Sequence, residues 1–441
     1  MRWTADRGPV ASAPGGQGTD RAAGRTVAGG REALRWSGNG LHLTAGEGTR
    51  NVRRPAVTAV SAAAALLLAT GCTADGGSGP ASPAAGTPTA GSTASAAAPA
   101  SASPSPSAPP AKGSVRVVST VAQGLESPWG LAPLPGGDLL VSSRDEGTIT
   151  RVDAESGELT VLGEVPGVAP GGEGGLLGIA LSPKFAEDRL VYAYFTTESD
   201  NRIARLLYDE SRPAGQRLGA PDTVLRGIPK GVVHNGGRIA FGPDGMLYAG
   251  TGETGDTGLS QDKASLGGKI LRMTPDGQPV HGNPEADSVV YSYGHRNVQG
   301  LAWDGQKRLW AAEFGQNTWD ELNLIKPGGN YGWPETEGKD GGAGFTEPVA
   351  QWPTADASPS GIAVARGSVW MAGLRGERLW RIPMAGERPS AAPQAFLEGE
   401  YGRLRTVAAA GGDRLWLVTS ETDTRGTPEA GDDRILLLEV R

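Results

Sequence analysis

Cysteine, excess positive charge and amphipathic helices are all scarce in this sequence. A single cysteine among 441 residues excludes an internal disulfide, and it leaves the redox compartment open because no pairing pattern exists. The net charge of −7 argues against nucleic acid as a partner. No amphipathic helical segment of useful length lies between the strand-like segments, which argues against a doubly wound α/β fold.

Long apolar segments are also missing. The most apolar run, residues 56–72, is too short to span a bilayer. It follows Arg53 and Arg54, and it ends in small residues directly before Cys72, as in a bacterial lipoprotein signal peptide. We therefore predict a lipidated Cys72 and an extracytoplasmic protein held on the cell membrane only by its lipid anchor. A buried, inert thiol is the alternative for this cysteine.

Composition divides the chain into four parts. Residues 1–51 lack any periodicity, so we predict that translation starts near Val52, with residues 52–71 as the signal peptide. Peptides from residues 1–50 detected in cells would contradict this. Residues 72–112 are rich in Ala, Ser and Pro and are predicted to be a disordered tether. Residues 1–71 carry nine Arg and four acidic residues, so their removal lowers the net charge from −7 to −12.

Residues 113–441 contain a repeat. An apolar-Gly-(Leu/Ile)-Ala motif, a turn and an alternating strand recur about every 45 to 60 residues. The six copies begin near residues 129, 177, 238, 299, 360 and 404. Turns such as Pro-Asp-Gly and Gly-Gly-Asp are typical of hairpins. This pattern predicts an all-β, six-bladed β-propeller with three or four strands per blade; a β-sandwich is the alternative.

Unusual polar residues precede the first strand of several repeats, and one mouth of a propeller channel would bring them together. They are Glu173, His234, Arg238, Arg296, Asn297, Arg403 and Arg405. Arginines around one cavity favour an anionic ligand. A neutral histidine there could take a proton from a hydroxyl, so we favour a functional role for His234. We favour a structural role for His281 and leave both open for His295.

The segment Tyr291–Pro334 also carries oxygen donors. Residues 313–317 are followed by Asp320, Glu321 and Asn323, which offer carboxylate, amide and carbonyl oxygens. Such hard ligands favour calcium over zinc. A solvated acidic loop is the alternative.

Several segments resemble the soluble PQQ-dependent glucose/sorbosone (aldose sugar) dehydrogenase family. They are GGEGGLLGIALSP, VHNGGRIAFGPDGMLYAGTGE, GGKILR, SYGHRNVQGLAW and DELNLIKPGGNYGWP. The resemblance covers essentially all of residues 114–441, and SYGHRN and NYGWP are specific to the family. It implies a six-bladed propeller that binds PQQ and calcium at the top of its channel. It also implies oxidation of a sugar at its anomeric carbon to the lactone, with electrons passing to an external acceptor.

The resemblance assigns roles around the cofactor. His234 matches the catalytic base that takes the C1 hydroxyl proton. Arg296 and Asn297 match the pair that contacts PQQ and its quinone oxygen, where positive charge stabilises the reduced form. Arg403 and Arg405 match two arginines that hold PQQ carboxylates.

The resemblance also implies two calcium sites. The backbone carbonyls of Gly315 and Gln316 match those that hold the calcium of the cofactor. The Glu321 carboxylate and the Tyr331 carbonyl match a second, structural calcium site.

Four positions depart from the family pattern. Glu173 stands where the glucose enzymes have Gln, which places an acid beside an acidic cofactor. Arg375 replaces a Lys that meets PQQ, and this keeps the charge but changes the geometry. Val233 replaces the Asp beside the base, so we expect the usual partner that orients His234 to be missing. Thr254 replaces a polar Gln or Asn.

These departures are compatible with three outcomes: a different sugar substrate, a weaker cofactor site, or a propeller that has lost catalysis. The alternative function is a non-catalytic propeller that binds carbohydrate or another partner on the cell surface. A calcium-dependent lactonase would need several acidic or amide side chains on one central metal, whereas this mouth is mainly arginine.

Overall fold

The computed structural model describes residues 108–441. The predicted signal peptide, Cys72 and most of the tether lie outside the described residues. The strands form six antiparallel sheets, and the first strand, β1 (Val115–Ala122), belongs to the last of them. No helix within residues 108–441 is long and apolar enough to cross a membrane.

The first three sheets are four-stranded meanders. Blade one contains β2 (Pro128–Pro133), β3 (Leu139–Ser143), β4 (Thr148–Val152) and β5 (Leu159–Glu164). Blade two contains β6 (Leu176–Leu181), the short helix α1 (Phe185–Asp188), β7 (Leu190–Thr196), β8 (Asn201–Leu207) and β9 (Asp222–Ile228). Blade three contains β10 (Ile239–Phe241), β11 (Leu247–Gly250), the short helix α2 (Gly258–Gln261), β12 (Lys269–Met273) and β13 (Val290–Tyr293).

The last three sheets continue the pattern, with variations in blades five and six. Blade four contains β14 (Val298–Trp303), β15 (Leu309–Glu313), β16 (Trp319–Ile325) and β17 (Ala350–Pro353). Blade five contains β18 (Pro359–Ala365), β19 (Ser368–Gly373), β20 (Arg378–Ala385), β21 (Arg388–Pro389) and β22 (Gln394–Phe396). Blade six contains β23 (Leu404–Gly411), β24 (Arg414–Thr419) and β25 (Ile435–Val440), with β1 at its edge.

The six sheets form a closed ring around a central channel. Each innermost strand contacts the innermost strand of both neighbouring blades, in the order β2, β6, β10, β14, β18, β23 and back to β2. The ring is closed by hydrogen bonds, because β1 pairs with β25 through register partners such as Val115 and Val440. The prediction of an all-β, six-bladed β-propeller is therefore confirmed.

The glycine of the sequence repeat is explained by packing between blades. A Cβ on Gly178 would lie 2.2 Å from the carbonyl oxygen of Gly237, and one on Gly300 would lie 2.4 Å from that of Ser360. Both distances are below van der Waals contact, so the innermost strands can approach only where a side chain is absent.

Candidate active site

A cavity of about 510 Å³ lies where the six innermost strands begin. Every blade contributes at least one lining residue; in blade order these include Trp129, Glu173, His234, Arg296, Ser358 and Arg403. The lining also contains Asn297, Gly315, Arg375 and Arg405. The structure thus brings together the residues that the sequence assigned to catalysis and to PQQ. Of the predicted calcium ligands, Gly315 lines the cavity.

The cavity has a strongly positive wall. Six arginines and two carboxylates line it, a formal excess of four positive charges; they are Arg144, Arg296, Arg375, Arg403, Arg405 and Arg425, with Glu173 and Asp423. Sequence reasoning missed Arg144, Asp423 and Arg425. Arg144 and Asp423 follow the second strands of blades one and six. Polar residues directly after the second strand of each repeat could therefore have identified them.

His234 is held from three sides. Its Nδ1 lies 2.5 Å from Glu253 Oε1, and its backbone N–H donates to Glu173 Oε2 at 2.9 Å. Its carbonyl oxygen accepts from the Thr254 N–H at 3.2 Å. Its φ of 52° lies in the left-handed region, which is uncommon for a non-glycine residue and costs energy that the surrounding bonds offset.

Val233 leaves His234 without the usual partner beside it, but another residue of the same blade orients the histidine. Glu253 takes this role from the loop that follows β11, and its side chain is only 1% exposed. The residue beside the histidine can therefore be Val233, because the carboxylate arrives from another part of the same blade. With Nδ1–H donated to Glu253, the Nε2 atom of His234 keeps its lone pair for a proton.

Arg403 and Arg405 share a buried carboxylate. Asp423 Oδ2 accepts from Arg405 at 2.7 Å and from Arg403 at 3.1 Å. Burial lowers the pKa of Arg405 to about 10, although Asp423 opposes this. Burial alone would raise the pKa of Asp423, but the two guanidinium groups outweigh it and hold that pKa at about 2. With a pKa of about 10, Arg405 stays charged near neutral pH in a desolvated wall.

Arg296 is held at the start of blade four by a hydrogen bond of its backbone. Its backbone N–H donates to Glu313, whose other oxygen accepts from His295 Nδ1 at 2.8 Å. His295 is fully buried and its Nε2 lies 2.8 Å from Ser292 Oγ, so it is a hydrogen-bonded core residue. Burial lowers the pKa of the Arg296 guanidinium, whose carbon lies 5.4 Å from the Trp333 ring centre. Neighbouring Asn297 accepts the Gly236 N–H at 2.9 Å through Oδ1.

The acid at position 173 is neutralised by a residue that the sequence did not point to. Glu173 Oε1 accepts from Arg425 at 2.6 Å, while its other oxygen accepts from His234. Arg425 lies on the loop between β24 and β25. The Glu173–Arg425 pair therefore joins blades two and six across the mouth. Arg375, from blade five, lines the same cavity and makes no ion pair within the described residues.

The remaining predicted calcium ligands lie outside the cavity lining. Glu321 is buried in blade four, where its oxygens accept from Gly338 N at 2.6 Å and Asn323 Nδ2 at 3.0 Å. Burial and the nearby Glu313 raise the pKa of Glu321 to about 8. The Tyr331 ring stacks on His295 at 4.6 Å. In residues 108–441 no group of three or more His, Cys, Asp or Glu side chains is placed to hold a metal.

The alternative of a solvated acidic loop is wrong for this segment. Glu313, Asp320 and Glu321 are all buried, and their oxygens accept hydrogen bonds from neighbouring groups. Burial raises the pKa of Asp320 to about 7, although the N–H groups of Gly315 and Ser358 oppose it. Gln316, by contrast, is exposed beside Gly315.

Comparisons with known proteins agree with this site. Residues 125–428 match the glucose / sorbosone dehydrogenase family. A structure of the PQQ-bound form of aldose sugar dehydrogenase from Streptomyces coelicolor is 78% identical, with a TM-score of 0.76, over 76% of this chain and 100% of that one. The aldose sugar dehydrogenase YliI of Escherichia coli is 33% identical over 55% of this chain and 68% of its own length.

A third relative is matched over a smaller share of its length. Quinoprotein glucose dehydrogenase B of Acinetobacter calcoaceticus is 31% identical over 56% of this chain, and the match spans 59% of that relative. The matched family region includes the starts of all six innermost strands. The chain therefore belongs to the glucose / sorbosone dehydrogenase family of oxidoreductases.

Proposed function

We propose that this protein oxidises an aldose at C1 to the corresponding lactone, using PQQ and calcium, and passes the electrons to an external acceptor. The observation that carries the proposal is one cavity with an oriented His234 and six arginines. Relatives named as PQQ-bound and as a quinoprotein support the same chemistry. We further propose, from the sequence alone, that the protein is exported and anchored through Cys72.

The cavity fits an acidic cofactor. PQQ carries three carboxylates, and the lining has a formal excess of four positive charges. Two buried donors in that wall, Nε of Arg296 and Nε of Arg403, have no hydrogen-bond partner among the described residues. Unpaired buried donors are costly, so a bound carboxylate or quinone oxygen would satisfy them. The volume of about 510 Å³ also suits a ligand of this size.

The two predicted ligands of the cofactor's calcium also fit. The carbonyl oxygens of Gly315 and Gln316 accept no hydrogen bond from any donor in residues 108–441. Free carbonyl oxygens are the hard ligands that calcium prefers. Gly315 lines the cavity, which supports a role for its carbonyl group in holding a cofactor-bound ion.

The protein's own residues supply the acid-base step. Bound PQQ would accept the hydride that leaves C1. His234 Nε2 takes the proton of the C1 hydroxyl, and the buried Glu253 stabilises the imidazolium that results. The sugar loses one hydride and one proton, which leaves the lactone. Arg296 keeps a fixed positive charge in the same cavity.

The proposal is tested by dye reduction. The full chain is loaded with PQQ and calcium and assayed with a panel of aldoses, and the product is identified as lactone. We expect sugar-dependent reduction that requires both PQQ and calcium. No reduction with any aldose and no PQQ-dependent thermal shift would contradict the enzyme and favour the carbohydrate-binding alternative.

Glu253 offers a test of the acid-base step. Glu253→Gln keeps a hydrogen-bond acceptor for Nδ1–H but removes the charge that stabilises the imidazolium. We expect turnover at saturating sugar to fall about 100-fold, with little change in PQQ affinity. Glu155→Gln, at an exposed turn of blade one, is the matched control and should be neutral. Unchanged turnover in Glu253→Gln would show that Glu253 does not act through His234.

The Glu173–Arg425 pair predicts two changes of opposite sign. Glu173→Gln keeps an acceptor for the His234 N–H but removes an anion from the wall, so PQQ affinity should rise severalfold. Arg425→Ala removes a cation, so PQQ affinity should fall by a similar factor. The side chain of Arg425 is 57% exposed, so either change should alter stability by less than about 1 kcal/mol. PQQ titration measures both affinities, and equal signs would contradict the electrostatic account.

A further inference from the structure

The segment that follows Trp333 brings one carboxylate against the loop of the predicted calcium ligands. Glu337 Oε1 accepts four consecutive backbone N–H groups, those of Gln316 at 2.5 Å and of Asn317, Thr318 and Trp319 at 3.2 Å each. Consecutive N–H groups that converge on one anion form a nest. The segment itself is fixed nearby, because the N–H of Gly338 donates to Glu321 at 2.6 Å.

The nest determines where the carbonyl groups point. In a planar trans peptide the C=O of one residue is antiparallel to the N–H of the next. The peptide bonds of this loop are trans, so the carbonyls of Gly315 and Gln316 point away from Glu337. Both predicted calcium ligands are thus turned to the same side of the loop by a single carboxylate on the other side.

The same arrangement strengthens these carbonyls as ligands. Each peptide unit carries a dipole of about 3.5 D. An anion at the N–H end and a cation at the C=O end stabilise that dipole in the same sense. Glu337 therefore polarises the two carbonyls toward a cation and adds a negative charge behind them, without contacting the ion.

Glycine at position 315 makes this contact possible. A Cβ there would lie 2.4 Å from Glu337 Oε1 and 2.0 Å from the Trp319 carbonyl oxygen. Both distances are too short for any side chain. The Glu337 carboxylate can therefore approach this loop only because residue 315 is glycine.

We propose that Glu337 is a positioning residue that orients and polarises the carbonyls of Gly315 and Gln316 for the calcium of the cofactor site. The inference rests on the proposed function, because that function places the ion there. It assigns a role to the segment after Trp333, which the acid-base chemistry does not use.

The test compares Glu337→Gln with Glu335→Gln in the full chain. Glutamine can still accept an N–H, so the loop can fold, but the charge is lost. Glu335 is exposed on the same segment and makes no side-chain hydrogen bond within the described residues, so it is the matched control. PQQ binding is followed by absorbance at a series of buffered free calcium concentrations, without sugar.

We expect Glu337→Gln to raise the half-saturating calcium concentration about tenfold or more, the usual effect of removing a partner of a metal ligand. PQQ affinity at saturating calcium should match the wild type and Glu335→Gln. An unchanged calcium requirement, or equal loss of PQQ affinity at every calcium concentration, would overturn the role of Glu337 alone. A wild-type protein whose PQQ binding does not depend on calcium would overturn the proposed calcium site and this inference together.

Discussion

Replacing His234 with alanine is expected to lower turnover about 1,000-fold, the range typical of a lost general base. The physical reason is the fixed imidazole, whose Nδ1 is held 2.5 Å from Glu253 Oε1 and whose Nε2 is the free acceptor. PQQ affinity should stay within about threefold of the wild type, because the arginines and not His234 supply the positive charge. Steady-state dye reduction and PQQ titration measure the two quantities separately.

His281 provides the matched control for this change. It is exposed on a turn of blade three, away from the cavity, so His281→Ala makes the same chemical change without touching the site. We expect its turnover to equal that of the wild type. Equal turnover in His234→Ala and His281→Ala would refute the assigned base and leave the fold and the PQQ site unaffected.

Replacing Asp423 with asparagine is expected to destabilise the apo protein by about 3 to 5 kcal/mol. The change leaves Arg405, which is buried, without its carboxylate and also breaks the contact to Arg403. Removing one partner leaves a buried charge without compensation, so the loss of folding free energy exceeds the loss on breaking a surface ion pair. Urea unfolding without PQQ measures it. Asp413→Asn, in a turn of the same blade with no ion pair in the described residues, should change stability by less than about 1 kcal/mol.

The pH dependence of this effect has a defined sign. The folded pKa of Asp423 is held at about 2, below the unfolded value of about 3.9. A depressed carboxyl pKa contributes stability that is full above the unfolded value and is lost as pH falls through the folded value. The difference between wild type and Asp423→Asn should therefore be constant from about pH 5 to 8 and shrink below about pH 4. A difference that grows toward low pH would contradict the assignment.

The fold could be predicted from the sequence because each repeat contains local signals for its own strands and turns. The glycine of the motif marks the innermost strands of blades one, two, four and five, and hairpin turns mark the strand that follows. The innermost strands of the six blades begin within one residue of the six predicted repeat starts. The pairing of β1 with β25 was not predictable in the same way, since it joins residues more than 300 positions apart and no local signal describes it.

The partners of the site residues were harder to predict than the site residues themselves. His234 and Arg296 lie in distinctive motifs, whereas Glu253, Asp423 and Arg425 acquire their partners only after the chain folds back or the ring closes. From the sequence alone, an acidic residue in a polar segment could equally belong to a solvated loop. Glu321 lies in such a segment, yet blade four buries it.

The most direct test of the arginine-lined cavity as a cofactor site is a PQQ titration of the apo protein in the presence of calcium. We predict saturable binding of one PQQ per chain, with affinity lost severalfold or more in Arg405→Ala and reduced by added salt, because charge pairing with the arginine wall holds the ligand. No saturable binding, or binding that is unchanged in Arg405→Ala, would contradict the claim that this cavity is the site of an acidic redox cofactor.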